Sequence, residues 1–202
     1  MMLWTKFVVV LIALAALIKA IDLCATQVAR RKLRKLEAIE PHVPPAPDQA
    51  KVLVVYFSRS GSTALLARRI ASRLNAEMLT IESIDYPLGM AGWLNAMADA
   101  GMDDAWITPA HVDLVRYDTV YVGVPVWRGH PAPPAWEFVR SNRFPGKRVV
   151  LFTTSRGAWR QAPVDLLRSE VLRRGARSFE HRHLKGGVVG FQGSDPQRID
   201  PQ

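Results

Sequence analysis

The chain has 202 residues, 49% hydrophobic and 22% charged, which suits one core-bearing domain with an appendage and excludes two large domains. The lone cysteine, Cys24, excludes an intrachain disulfide framework and any multi-cysteine zinc or iron–sulfur site. Lys and Arg number 27 against 18 Asp and Glu, a net charge of +9 that favours contact with something anionic: a membrane surface, nucleic acid or a phosphorylated ligand.

Residues 7–18, FVVVLIALAALI, form an unbroken apolar run of twelve, short of the roughly 20 that cross a bilayer as a helix. Lys6 and Lys19 flank it, and their stems can lie along lipid while the amines reach head groups. Counted from Leu3 to Ala25 the segment is long enough, with Trp4 at an interfacial position and Asp22 the one awkward charge. Arg30 to Lys35 then carries five positive charges in six residues. A cleaved signal peptide fits the apolar length but lacks a small-x-small site beyond Ile18. A lipoprotein site fits Cys24 poorly, because Ile21-Asp22-Leu23 lacks small residues, and the basic block argues against a buried core helix. The reading is a membrane-anchor helix over 1–29. By the positive-inside bias, the bulk of the protein is then cytoplasmic. A basic, Pro-rich linker follows over 30–50, with four prolines in EPHVPPAPDQA.

The domain is expected over 51–202. Residues 51–57, KVLVVYF, read as a strand buried on both faces, as in a parallel sheet covered by helices. Leu65, Leu66, Ile70, Ala71 and Leu74 give 63–74 a helical spacing. A short strand is expected at 77–82 and a helix at 89–105, with Trp93, Leu94, Met97 and Ala98 as its face. Another doubly buried strand, TVYVGV, follows at 119–124, then a helix at 133–141 with proline in its first turn. A strand at 148–153, a helix at 163–174 and a weaker strand at 178–184 complete the alternation, and 186–202 reads as loop. Strands alternating with helices predict a three-layer α/β fold with a parallel sheet, preceded by the N-terminal hydrophobic helix.

Ligands in such sheets bind beyond the carboxyl ends of the strands. After the first strand, Ser58, Ser60, Ser62 and Thr63 surround Gly61 at a helix start. The group reads either as a phosphate cradle or as ordinary helix capping. A Walker-type loop is excluded, since no Gly-Lys-Ser/Thr follows, and the acidic cluster of a phosphoacceptor receiver domain is missing. After the 119–124 strand, Pro125, Val126, Trp127, Arg128 and Gly129 offer a flat apolar face and a tight turn; Trp127 either stacks on a planar ring or plugs the core. After the 148–153 strand comes a third polar turn, Thr154-Ser155-Arg156-Gly157.

The three turns together resemble the flavodoxin-like family over roughly 51–185. Tyr56-Phe57-Ser58-Arg59-Ser60-Gly61-Ser62-Thr63 is similar to its first loop, and Gly123-Val124-Pro125-Val126-Trp127-Arg128-Gly129 with Pro131, Pro133 and Pro134 to its second. Gly146-Lys147 before a strand ending in Thr154-Ser155-x-Gly157 is similar to a third. The resemblance implies a flavodoxin-like fold and noncovalently bound FMN. By carry-over, Ser58, Ser60, Gly61, Ser62 and Thr63 would hold the phosphate. Pro125, Val126, Trp127, Arg128 and Gly129 would flank the ring, and Thr154, Ser155 and Gly157 would close over the ring or ribityl chain. Arg128 and Arg156 depart from the family pattern; near the flavin edge either would favour the reduced anion and raise the potential, while pointing to water it would do neither.

From Lys51 on there are 20 basic and 14 acidic residues, so an acidic soluble shuttle is a poor fit and a membrane-tethered flavoprotein a better one. The expected function is electron transfer at the cytoplasmic membrane surface. NAD(P)H or another flavoprotein would be the donor, and a quinone or membrane redox partner the acceptor. The alternative is a flavodoxin-fold scaffold that no longer binds FMN. Nucleic-acid binding rests on charge alone, and the basic block beside the apolar run is explained more simply by lipid. No metal site is expected: His181-x-His183 has strand spacing that puts both rings on one face, but without a thiol or carboxylate partner the five histidines read as surface residues.

Overall fold

The computed structural model describes residues 2–39, 44–45 and 49–185. Most of the proline-rich stretch and the 186–202 tail therefore lie outside the described residues.

The chain opens with α1 (Met2–Ile39), a 38-residue helix. It runs on through Arg30–Lys35, so the basic block is helical rather than linker. Arg, Lys, Leu and Ala are all good helix formers, and neither proline nor glycine interrupts the sequence before Pro41. Within it, Lys6–Val28 has a mean hydropathy of 2.6 and is long enough to cross a membrane. Its apolar side chains are exposed, from Val8 at 37% to Val9 and Ile12 at 64%.

The domain alternates β1 (Val52–Phe57), α2 (Ser62–Leu74), β2 (Glu77–Ser83), α3 (Met90–Ala98), β3 (Ile107–Thr108), β4 (Thr119–Trp127), β5 (His130–Pro131), α4 (Pro133–Ser141), β6 (Arg148–Ser155), α5 (Gln161–Arg173) and β7 (Ser178–Lys185). The strand order is β3-β2-β1-β4-β6-β7, with β5 paired to β4. From β2 to β7 every neighbouring pair along that path is parallel; β3 and β5 are short antiparallel additions. The order reverses between β1 and β4, the place where open parallel sheets leave a crevice for ligands.

Burial on both faces explains the near-continuous apolar strands. Leu53, Val55 and Phe57 of β1, Val120, Val122 and Val124 of β4, and Val149 and Leu151 of β6 meet Phe138 and Val139 of α4 and Val164, Leu167 and Val171 of α5. On the opposite face Val54, Tyr56 and Phe152 meet Leu65, Leu66, Ala67, Ile70 and Ala71 of α2. Among the described residues, α2 is the helix packed on that second face.

The helix expected at 89–105 is shorter than its periodicity suggests. It ends at Ala98, and Gly101 follows with φ +106°. The residues it buries are Gly92 and Ala96, while Trp93 and Leu94 are 47% and 55% exposed. Apolar spacing alone therefore picked the wrong face.

Candidate functional site

Three loops leave the carboxyl ends of the adjacent strands β1, β4 and β6. The first enters α2 through Gly61, whose φ of 91° and ψ of −14° place it in the left-handed region that favours glycine. The Ser58 hydroxyl accepts a hydrogen bond from the Gly61 N–H at 3.1 Å and closes the loop on itself. No side chain caps α2, and its first turn has no acidic residue. The capping role of the hydroxyls is therefore not taken up. The first-turn N–H groups, which have no intrahelical acceptor, sit at the positive end of a 13-residue helix among four hydroxyls. That donor set suits a phosphate and would repel a cation.

The second loop is a β-hairpin. Val126 and Trp127 pair with Pro131 and His130, which leaves Arg128-Gly129 as a two-residue connection. Both have positive φ, 49° and 91°, as the tight turn matching strand twist requires. Arg128 donates to the Met97 carbonyl at 3.4 Å. Trp127 is only 8% exposed. Its ring lies 5.9 Å from Phe57 and 4.8 Å from Tyr86 in edge-to-face contacts. The indole thus fills the core, and the cleft wall comes from its neighbours.

The third loop returns beside the second, since Pro125 and Thr154 are opposite in the parallel register. It is also joined to the first by a buried hydrogen bond of 2.8 Å between the Thr63 and Thr154 hydroxyls. A cleft of about 370 Å³ opens between the second and third loops, lined by Val126, Arg128, Gly129, Ser155, Gly157, Ala158 and Arg160. That size is within the range of small-molecule sites. Arg156 is exposed and is not among the lining residues. Ser58, Ser60, Gly61, Ser62 and Thr63 adjoin the cleft through the Thr63–Thr154 link rather than line it.

Two features escaped the sequence. Arg160 lies across from Gly129, where an added Cβ would come within 2.9 Å of the arginine Cγ; no motif marks it. The strand spacing of His181 and His183 does put them on one face, but they are not free surface residues. Both hydrogen-bond the buried Thr153 hydroxyl at 2.9 Å, and Trp159 packs on them at 4.6 and 5.7 Å. Burial, then the neighbouring His183, pushes His181 down to about 4, against a smaller opposite pull from Asp165. Burial, then Lys185, lowers His183. Above the ordinary histidine range both folded and unfolded chains are neutral there. As pH falls through about 6.5 the unfolded chain takes up protons that the folded one refuses. Stability is expected to fall from there towards about pH 4, and urea midpoints of wild type and His181→Leu across that window should diverge from each other. Parallel curves would show that His181 is not the group responsible. Among the described residues no cluster of His, Cys, Asp and Glu could hold a metal ion.

No curated protein matches the chain. Among solved structures, a candidate flavoprotein from Bacteroides uniformis is 24% identical, with 70% of this chain and 94% of that one covered and a TM-score of 0.58. A flavoprotein from Lactobacillus acidophilus, solved in complex with FMN, is 22% identical over 65% of this chain and 93% of that one, with a TM-score of 0.51. These likenesses show the fold. The flavodoxin family pattern matches residues 51–172, more than half of the chain, along β1 to α5 and through all three loops. The chain belongs to the flavodoxin family.

Proposed function

We propose that the domain binds FMN noncovalently and transfers electrons at the cytoplasmic face of a membrane to which α1 tethers it. The observation that carries the cofactor is the start of α2: an uncapped, acid-free helix N-terminus ringed by Ser58, Ser60, Ser62 and Thr63, linked at 2.8 Å to the loop that walls the cleft. Those residues would hold the phosphate. Val126, Arg128, Gly129, Ser155 and Gly157 would enclose the ring, with Trp127 supporting that wall from the core. When bound, FMN supplies one- or two-electron chemistry; the chain binds it, excludes water from the cleft and sets its charge environment. The family match and the FMN complex of the Lactobacillus acidophilus flavoprotein support this reading.

The tether is supported by the exposed 23-residue apolar span, and its direction by the five positive charges that follow it. A short leash raises the effective concentration of the domain near lipid-soluble acceptors such as a quinone. The full chain purified in detergent is expected to be yellow and to release FMN on denaturation. Colourless protein that ignores added FMN would establish the scaffold reading instead. Membranes washed with alkaline carbonate should retain the chain, and its release would point to a cleaved leader. Anaerobic mixing with NADH and NADPH then separates an enzyme from a passive carrier. Arg128→Ala is expected to lower the midpoint potential of bound FMN, because a cation lining the cleft favours the reduced anion; an unchanged titration would leave Arg128 a role only at the Met97 carbonyl.

A further inference from the structure

The face of the sheet between β6 and β7 carries a run of polar contacts that cofactor binding as described leaves unused. His181 Nε2 lies 2.9 Å from Thr153 Oγ1, and the same hydroxyl lies 2.9 Å from His183 Nδ1. His183 Nε2 lies 3.2 Å from Ser155 Oγ, and the Ser155 hydroxyl donates to the Gly157 carbonyl. The last link sets the direction of all the others. Ser155 has one proton, and it is committed to Gly157, so His183 Nε2 must donate to Ser155. Neutral His183 then has a bare Nδ1, which accepts from the Thr153 hydroxyl. Thr153, its proton spent, accepts from His181 Nε2–H. Donors thus run one way, from His181 through Thr153, His183 and Ser155 to Gly157, and both rings carry their proton on Nε2.

We propose that this polarised chain makes His183 a positioning residue of the cleft, whose neutral ring holds the Ser155–Gly157 turn in the form that accepts FMN. The inference rests on the FMN reading above. Ser155 and Gly157 line the cleft, so the end of the chain is its wall. A second proton on His183 would sit on Nδ1 and point at Thr153 Oγ1. Thr153 is fully buried, and its own proton would lose its acceptor. Thr153 would then face two donors, and relief requires His181 to move its own proton to Nδ1 and accept from Thr153, or β7 or the Ser155–Gly157 turn to shift. The charged and titratable groups facing His183 are His181 and Lys185 on its own strand, while β6 contributes only the uncharged Thr153 and Ser155. Asp165 of α5 acts on His181, and Trp159 brings no charge. Lys185 therefore adds to burial in keeping His183 neutral.

The test uses the full chain in detergent micelles. Nitrogen-15 NMR of the FMN-free protein at neutral pH is expected to show both imidazoles neutral with the proton on Nε2; an Nδ1–H tautomer or a charged ring at His183 overturns the chain. FMN affinity is read by fluorescence titration at about pH 7.5 and at about pH 4.5, and nitrogen-15 NMR at the lower pH is expected to show His183 charged while the protein stays folded; a His183 that stays neutral there overturns the pH dependence. Wild type is expected to lose about tenfold more affinity on acidification than His183→Gln, which can donate to Ser155 but cannot titrate. Titration of the FMN phosphate is common to both proteins and cancels in that ratio. Equal pH profiles overturn the positioning role while FMN binding stands. Failure of wild type to bind FMN at about pH 7.5 overturns the cofactor reading and the positioning role with it.

Discussion

Gly123→Val is expected to destabilise the domain by about 3 kcal/mol, at the upper end of what overpacking usually costs. Gly123 stands in β4 with Tyr56 beside it on β1 and Phe152 on β6. A Cβ added there would lie 2.0 Å from Phe152 Cζ and 2.4 and 2.6 Å from its Cε atoms. Phe152 is only 2% exposed and is packed with Val54, Tyr56, Leu65 and Leu66, so its ring has nowhere to go. Against a total stability of roughly 5–15 kcal/mol this is a large fraction. Steric origin has a signature: Phe152→Leu, itself destabilising, should make Gly123→Ala much cheaper than it is in wild type. A double-mutant cycle by urea denaturation measures that coupling. Additive losses would mean that the glycine is needed for backbone conformation and not for room.

Gly123 also shows what sequence can and cannot tell. It is recognisable as the first letter of a cofactor-loop motif, yet its place in the structure is explained by packing against a phenylalanine on the next strand. The same holds for Trp127, which the motif assigns to the ring and the structure buries between Phe57 and Tyr86. The strands themselves were legible because both faces are buried, so β1, β4 and β6 read as apolar runs whatever their neighbours. Their ends were less so: β4 extends to Trp127 and β6 to Ser155, because pairing continues into residues whose side chains look like loop. The two-residue strands β3 and β5 have no periodicity to find. Trp93 and Leu94 gave α3 an apolar face that the tertiary structure leaves exposed, since what α3 buries is small Gly92 against the Pro87 backbone and Ala96 in the core. The histidines were misjudged for a related reason. Half-burial of β7 comes from α5 and Trp159, and a partner such as Thr153, 28 residues away from His181, cannot be read from local pattern.

The cofactor assignment meets its hardest test at Gly61. Gly61→Val is expected to weaken FMN binding by about a hundredfold or more and to leave riboflavin binding almost unchanged. Valine in the left-handed region is strained by roughly 1–3 kcal/mol, so the loop should relax to another conformation. That relaxation breaks the Gly61 N–H to Ser58 contact and turns the first N–H groups of α2 away from their common focus. Each charge-assisted hydrogen bond to a phosphate contributes about 1.5–3 kcal/mol, so losing two removes about 3–6 kcal/mol. At about 1.4 kcal/mol per tenfold, the dissociation constant rises by two to four orders of magnitude. Riboflavin has the same ring and ribityl chain but no phosphate, and the residues it would touch between Val126 and Arg160 meet the Gly61 loop through the Thr63–Thr154 hydroxyl contact, which α2 holds from its buried face. Its binding also reports that the domain is folded, which is expected because Leu65, Leu66, Ala67, Ile70 and Ala71 keep α2 on the sheet. Equal weakening of both ligands would place the phosphate elsewhere, and the helix N-terminus would then be a loop-closing device with no part in recognition.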